Sequence, residues 1–377
     1  MGISVLHVLH SYRPGGMENM IAQMAWLLPR PEFAVAICAL TEADDFKSRL
    51  PSDTLIFELQ KKRGIDPRCA LRLRRLIREM RPDVVHSHNW NALIYSLLAL
   101  GGDHTPLLHG EHALLYEWER SPWRLRLRKA LYARCDIVHT VSQGQAHELA
   151  RLGLCDRVDL RVIRNGVDTV KFSLQDKAEC RAKLGIKTSG PCLGMVARCV
   201  PEKRHALLLE AFEEIGATFP DVNLVLAGAG GTCEQETKAL AASHPFANRV
   251  FWLGHRDDMT TVYNALDLLI LTSTSEGMSN VSLEAMSCGV PVLMNHACGS
   301  EELIIEGFNG STVPMRDAGE VAAAVARLLV VSGNVHRMGQ NARATAERDH
   351  PLGKTASDYA AVYHSLVGKQ QAKPETH

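Results

Sequence analysis

The chain has 377 residues, enough for two domains, and its 46% of hydrophobic and 22% of charged residues exclude a disordered or fibrous protein. Its 42 basic residues balance 42 acidic ones, which excludes a strongly basic nucleic-acid-binding protein. No apolar run reaches the roughly 18 residues of a membrane span, and residues 1–9 lack the features of a signal peptide. Ten cysteines without a C-x-x-C spacing indicate reduced thiols and a cytosolic protein.

In the first half of the chain, short apolar segments alternate with longer helical patterns. This alternation predicts a parallel sheet with helices on both faces. The same half contains two basic segments, at 61–81 and 120–134. Strands are predicted at 4–10, 33–40, 83–88, 106–112 and 136–142, and helices at 17–28, 92–100 and 144–152.

The alternation starts again after a polar stretch at 168–190. Strands are predicted at 192–198, 223–229, 249–254, 267–273 and 291–295, and helices at 205–219 and 281–288. The chain is therefore predicted to be an α/β protein with two doubly wound parallel-sheet domains. Their predicted bounds are 1–170 and 171–350, followed by a last segment at 351–377 that ends in a polar tail.

The loops beyond the carboxyl ends of the strands are where ligands of open parallel sheets bind. Gly15 and Gly16 follow the first strand and precede a helix, where glycines let backbone amides approach a phosphate. A plain turn is an equally good interpretation of this pair alone. The G-x-G-x-x-G spacing of nicotinamide-binding enzymes is missing here and at 228–231, which disfavours a dehydrogenase.

Charged residues follow two strands of the second half. Arg198 and Lys203 could bind a diphosphate, although basic side chains near a helix start are usually solvated. Glu276 and Glu284 lie in the segment EGMSNVSLE. Because Ser279 is a plausible helix cap, Glu276 is predicted on the loop and Glu284 in the second helical turn. One carboxylate could then face ligand hydroxyls while the backbone amides face a phosphate.

Histidines cluster at two consecutive strand ends of the first half: His86, His88, His109 and His112. A lone strand-end histidine is more often structural than catalytic, but neighbouring strand ends bring these four toward one place. The chain contains no H-E-x-x-H or D-x-D motif, so no metal site is predicted.

The basic segment from Trp123 to Cys135 forms an amphipathic pattern at helical spacing. Trp123, Leu127 and Leu131 share one side, with arginines around them. This pattern is typical of a helix on an anionic membrane surface. A solvated helix face is the simpler alternative, and RNA binding is a weaker one.

Together these motifs resemble family 4 of the retaining glycosyltransferases, which have the GT-B fold of two Rossmann-like domains facing a central cleft. The segment EGMSNVSLE, which begins at Glu276, is similar to the E-x7-E motif of that family. The resemblance implies an acceptor-binding N-terminal domain, a nucleotide-sugar-binding C-terminal domain, and a final helix that crosses back to the first domain. It covers nearly the whole chain, through PGGMEN at 14–19, DVVHSH at 83–88, ARCVPEK at 197–203, GHRDDM at 254–259 and EGMSNVSLEAMSCGVPV at 276–292.

The resemblance also implies roles for single residues. Arg198 and Lys203 would neutralise the leaving diphosphate. Glu276 would contact the sugar hydroxyls, Glu284 would bind the ribose, and His112, or else His109, would lie near the transferred sugar. The implied donor-binding residues are Gly15, Gly16, Arg198, Lys203, Leu253, Arg256, Glu276, Gly277, Met278, Ser279, Asn280 and Glu284. The catalytic residues are His112, Arg198, Lys203 and Glu276, and the acceptor side is assigned to His88, Asn89, Tyr116, Arg124 and Arg128.

The reaction implied is a front-face substitution with retention, without a protein nucleophile, a metal or another cofactor. Its partners would be a UDP- or GDP-sugar and a glycan or lipid-linked acceptor of the bacterial envelope or of an exopolysaccharide. The implied location is the cytoplasm, including the inner face of the cytoplasmic membrane. Ala197 departs from the glycine usual in the family, which an extended backbone would tolerate. A sugar-nucleotide epimerase of the same fold and a scaffold without catalysis are the alternatives, and the intact motif residues disfavour the scaffold.

Overall fold

The computed structural model describes residues 2–296, 299–331 and 333–371. The chain divides into two compact units. The first contains the residues up to 165 and those from 353 onward, and the second contains residues 166–352. The sequence predicts these divisions a few residues away, at 170 and 350.

The first unit is built on a seven-stranded sheet with the order β3-β2-β1-β4-β5-β6-β7, in which all neighbours are parallel. Its strands are β1 (Ile3–Leu9), β2 (Phe33–Ala39), β3 (Leu55–Glu58), β4 (Val84–His88), β5 (Leu107–Glu111), β6 (Ile137–Thr140) and β7 (Asp159–Val162). Its helices are α1 (Gly16–Leu27), α2 (Pro67–Met80), α3 (Asn89–Leu100), α4 (Pro122–Tyr132) and α5 (Gln143–Arg151).

The central strands of this sheet are buried on both faces, which explains their near-continuous apolar runs. Leu6, Val8 and Val85 belong to its core. The edge strand β3 was not predicted, because it has four residues and a largely half-exposed surface without a clear pattern.

The second unit is built on a six-stranded parallel sheet with the order β10-β9-β8-β11-β12-β13. Its strands are β8 (Cys192–Val196), β9 (Asn223–Ala227), β10 (Val250–Gly254), β11 (Leu268–Leu271), β12 (Val292–Asn295) and β13 (Gly310–Val313). Its helices are α6 (Lys177–Lys183), α7 (His205–Thr218), α8 (Glu234–Ala242), α9 (Met259–Ala265), α10 (Asn280–Ser287), α11 (Ser300–Leu303), α12 (Ala318–Val330) and α13 (Asn334–Asp349). With the first sheet, it confirms the prediction of two doubly wound parallel units.

The last helix, α14 (Leu352–Gln371), packs on the sheet of the first unit. Tyr359 and Tyr363 of this helix are buried, and the Tyr363 hydroxyl lies 2.9 Å from Nδ1 of His86 on β4.

Across the described residues, no single helix combines the length and apolar character of a membrane span. The bent pair of α12 and α13 meets the length and composition test only when the two helices are taken together.

Candidate active site

The loop between β11 and α10 carries the segment EGMSN. Ser279 caps α10, because its Oγ accepts a hydrogen bond from the Ser282 amide at 3.2 Å, as predicted. A second backbone segment passes close to this loop. A Cβ atom at Gly299 would lie 1.7 Å from the Gly277 carbonyl oxygen, and Gly299 has a φ of +84°, so only glycine fits there. The loop is therefore held from both sides.

Lys203 and Glu276 meet in this unit. The Lys203 ammonium donates to Oε1 of Glu276 at 2.6 Å, and both side chains are largely buried. A side-chain hydroxyl also joins the two loops, since Oγ1 of Thr272 donates to the Lys203 carbonyl oxygen at 2.6 Å. The two loops follow neighbouring strands, β8 and β11. Thus two residues predicted separately from the sequence form one ion pair.

Glu284 is fixed by a residue that sequence reasoning missed. The Tyr263 hydroxyl, on α9, donates to Oε2 of Glu284 at 2.6 Å. Burial and the neighbouring carboxylate both raise the pKa of Tyr263 well above its usual value, so the phenol stays a donor. No motif marks Tyr263, and its partner lies 21 residues away on another helix.

The remaining predicted donor residues differ in their surroundings. Arg198 is exposed and has no ion-pair partner in the part of the chain that the structure describes. The hydroxyls of Ser273 and Ser275, just before Glu276, are buried and lack a hydrogen-bond partner among the described residues. Arg256 is held by Asp258 at 2.7 Å instead. Leu253 and Asn280 are half-buried, and Met278 is buried.

Gly15 and Gly16 lie at the N-terminus of α1, as predicted. Gly15 is the cap residue and is extended, with no side chain to bond the first amides. The Glu18 carboxylate folds back toward it, because a Cβ atom at Gly15 would lie 2.2 Å from a Glu18 oxygen. In this structure an acidic side chain thus already lies at the predicted phosphate-binding end of the helix.

The predicted histidines separate into two groups in the first unit. His88 is buried, and its Nδ1 lies 2.9 Å from Nε2 of the half-buried His112. Asn89 supports the same place, since its Oδ1 accepts from the His112 amide at 3.2 Å. His109 is fully buried and bonds Ser87. Of the two candidates for the sugar-facing histidine, only His112 reaches solvent.

A second buried cluster lies beside His109 and corrects one prediction. Arg128 donates to both Glu111 and Glu119, and its guanidinium covers the ring of Trp90 at 4.5 Å. Arg128 is 3% exposed, so its charge is used inside the unit and not on an acceptor-facing surface. Burial by itself would raise the pKa of Glu111, but the charge of Arg128 and the hydrogen bonds with His109 and Tyr132 hold it at about 2, so the carboxylate stays ionised.

The other acceptor-side candidates lie on a surface. Tyr116 stacks on Trp118, with ring centroids 6.2 Å apart. Arg124 lies over Trp118 and Trp123, which are 60% and 61% exposed. Leu127, on α4 with Trp123, is 41% exposed. Below, the term aromatic patch means Tyr116, Trp118, Trp123 and Leu127. Two exposed indoles close together are unusual on a surface that contacts only water.

Three histidines of the first unit lie close enough together to be compared with a metal site. His7, His86 and His88 are buried, and their candidate ligand nitrogens lie within 4.8 Å of one another. The nine cysteines among the described residues are free thiols.

Two family models match the chain. The model described as "Glycosyltransferase Family 4" matches residues 14–171, and "Glycosyl transferases group 1" matches residues 176–345. The first match lies in the histidine-containing unit, and the second covers the Lys203–Glu276 pair.

Curated relatives of this chain are named as glycosyltransferases, and a solved structure has a similar fold. A D-inositol 3-phosphate glycosyltransferase of Mycolicibacterium vanbaalenii is 26% identical over 323 residues, which are 77% of this chain and 71% of the relative. The protein of the same description from Mycobacterium sp. strain KMS is 30% identical over 262 residues, but this chain spans 59% of its length. The crystal structure of Anabaena HepE in complex with UDP and glucose matches with a TM-score of 0.83 at 24% identity, over 96% of this chain and 99% of HepE. That likeness shows the fold.

Proposed function

Because the chain belongs to family 4 of the glycosyltransferases, we propose that it transfers a sugar from a nucleotide diphosphate sugar to a hydroxyl group, with retention at the anomeric carbon. The observation that carries the proposal is the Lys203–Glu276 ion pair near the start of α10. A cation, a carboxylate and the backbone amides of a helix N-terminus at neighbouring strand ends are the groups that a sugar diphosphate needs.

In the proposed mechanism, the second unit binds the donor. Lys203 and Arg198 stabilise the negative charge that develops on the diphosphate as the glycosidic bond breaks. Glu276 accepts hydrogen bonds from the sugar hydroxyls, and Glu284, oriented by Tyr263, accepts them from the ribose. Before the donor binds, Lys203 and Glu276 neutralise each other, so neither charge is left alone in a largely buried position.

The chemistry proposed here needs no protein nucleophile and no metal ion. The leaving diphosphate stays on the face from which the acceptor hydroxyl attacks and takes the proton of that hydroxyl. The two cations supply the charge stabilisation, and His112 of the first unit positions the transferred sugar.

We propose UDP as the first candidate nucleotide and GDP as the second. HepE was crystallised with UDP and glucose, which supports a UDP-sugar here by analogy only. The acceptor proposed is a glycan or lipid-linked glycan of the bacterial envelope or of an exopolysaccharide.

A thermal-shift experiment tests the donor site. UDP at about 100 times its dissociation constant should stabilise the protein by about 2.7 kcal/mol and raise the unfolding temperature by several degrees. Arg198→Ala should abolish most of that shift, whereas Arg327→Ala, an exposed arginine on α12, should retain it. GDP, ADP, TDP and CMP are run beside UDP. A shift that survives Arg198→Ala would contradict the site, and no shift with any nucleotide would favour a scaffold.

For a lipid-linked acceptor, we propose that the aromatic patch rests on an anionic membrane. The patch combines two exposed indoles with the basic helix α4, on which Arg126 is also exposed. Indoles favour the headgroup region, and each arginine near anionic lipid contributes about 1 kcal/mol.

Vesicle sedimentation tests this surface. Trp123→Ser should weaken binding to vesicles containing phosphatidylglycerol about tenfold, and binding should fall with added salt. Trp26→Ser provides a matched control, since Trp26 is 65% exposed on α1. Equal loss in both variants, or binding that does not depend on anionic lipid, would argue against the patch as a membrane surface.

A further inference from the structure

Five histidines and one tyrosine of the first unit form a continuous chain of hydrogen bonds through its interior. They come from β1, β4, β6, the residue after β5, and α14. Five links join them: His139 Nε2 to His86 Nε2 at 3.0 Å, His86 Nδ1 to the Tyr363 hydroxyl at 2.9 Å, that hydroxyl to His7 Nε2 at 3.5 Å, His7 Nδ1 to His88 Nε2 at 2.9 Å, and His88 Nδ1 to His112 Nε2 at 2.9 Å.

The imidazoles of this chain are neutral near pH 7. Burial lowers the pKa of His7 to about 3 and that of His112 to about 4, and it lowers those of the other three well below the usual value. A neutral imidazole has one N–H donor and one bare nitrogen. The protons of an unbroken chain can therefore be arranged in two orders, with every donor directed toward one end of the chain or every donor directed toward the other. Each order fixes the tautomer of every ring.

The surroundings of His139 favour one of the two orders. Its Nδ1 is buried without a hydrogen-bond partner of ordinary geometry, but the backbone of Thr140 beside it favours a proton on the ring. With that proton on Nδ1, Nε2 of His139 accepts from His86. Each following group then accepts from the next, and the chain ends with the proton of His112 on Nε2, directed at His88.

We propose that this buried chain is a positioning device, which fixes the tautomer of His112 so that its Nδ1 presents a lone pair. His112 is half-buried and ends the chain of six residues. Its Nε2 forms the link to His88, so its Nδ1 takes no part in the chain. A bare nitrogen accepts a hydrogen bond from a hydroxyl group and cannot donate one to a carbonyl. The inference rests on the proposed function and deepens it, since it makes His112 selective for a sugar hydroxyl.

A metal ion on His7, His86 and His88 fits the distances less well. Two nitrogens on one tetrahedral zinc ion lie about 3.3 Å apart, given Zn–N bonds of about 2.0–2.1 Å. Nδ1 of His7 and Nε2 of His88 lie 2.9 Å apart, which is a hydrogen-bond distance. The outer nitrogens of His7 and His88 are also engaged, by Tyr363 and His112.

NMR of the full-length protein labelled with ¹⁵N in its histidine rings tests the tautomers without reference to activity. At pH 7, in the absence of any substrate, Nε2 should carry the proton in His7, His86, His88 and His112, and Nδ1 should carry it in His139. Any of these rings in the opposite or a mixed tautomer overturns the proposal. Loss of the same N–H signals on adding equimolar zinc also overturns it, in favour of a metal site.

Two tyrosines one turn apart on α14 supply matched variants. Tyr363→Phe removes the hydroxyl that joins the two halves of the chain, and His112 should become a mixture of tautomers. Tyr359→Phe should leave the pattern unchanged, since buried Tyr359 contacts His86 and His139 through its ring.

In transfer assays Tyr363→Phe should lower kcat about tenfold, the scale of one hydrogen bond, with the KM for the donor unchanged. An unaltered His112 tautomer in Tyr363→Phe refutes the device even if the enzyme transfers sugar normally. An enzyme without transferase activity but with the expected tautomers refutes the proposed function alone.

Discussion

Lys203→Ala is expected to lower kcat for sugar transfer at least about 100-fold, the scale of losing one contact that strengthens in the transition state. The ammonium lies beside the α10 N-terminus, where a diphosphate would gain negative charge as the sugar leaves. Lys203→Arg should retain more activity than Lys203→Ala, because it keeps the positive charge. The measurement is transfer from radiolabelled UDP-sugar in single-turnover and steady-state assays.

The partner of Lys203 makes this prediction sharper. Glu276→Ala should also cost about 100-fold, and the double variant should lose much less than the product of the two, because residues in contact are not independent. Lys238→Ala is the control, since Lys238 forms an exposed ion pair with Glu234 at 2.7 Å in the same unit. Near wild-type transfer in both Lys203→Ala and Glu276→Ala would refute the site.

The ion pair also shows how far sequence reasoning reaches. Lys203 and Glu276 lie 73 residues apart, yet both follow predicted strands, and the carboxyl ends of parallel strands meet at one edge of a sheet. The capping role of Ser279 was predictable for a similar reason, since it depends on neighbours three residues away. Positions set by strand ends or by local helix geometry are therefore accessible from the sequence.

Contacts that depend on tertiary packing could not be predicted from the sequence. Tyr263 has no motif, and its bond to Glu284 depends on how α9 lies against α10. Arg128 has the helical spacing of the exposed arginines around it, and only the packing of α4 on β5 shows that it faces Glu111. Strand order explains the histidine chain in the same way, because His7 and His86 become neighbours only when β1 pairs with β4.

Mild acid is expected to destabilise the first unit much more than the second. The five histidines of the buried chain have lowered pKa values in the folded protein, as described above, but near 6.5 in the unfolded chain. Below pH 6.5 the unfolded state therefore binds more protons, so the stability they contribute is complete above that pH and is lost as the pH falls. Glu111, with a pKa of about 2, has the same sign in a lower range, between about 4.5 and 2.

The expected size is about 1 kcal/mol per histidine between pH 7 and pH 5.5, or about 5 kcal/mol for the chain, similar to the whole stability of many domains. In the second unit, burial lowers the pKa of His205 to about 4. The other titratable groups beside the chain are His109, Glu111 and Tyr359, and Arg128 and Tyr132 bond Glu111 in turn.

Hydrogen exchange of peptides from β1 and β4, measured in urea at pH 7 and pH 5.5, reports the first unit by itself. His139→Phe removes one of the five groups, so it should reduce the difference between the two pH values by about 1 kcal/mol, whatever its effect at pH 7. His104→Gln, an exposed loop position, should leave that difference unchanged. If the wild-type protein is equally protected at both pH values, the buried rings are not held neutral against protonation, and the histidine chain cannot have the fixed tautomers that its hydrogen bonds require.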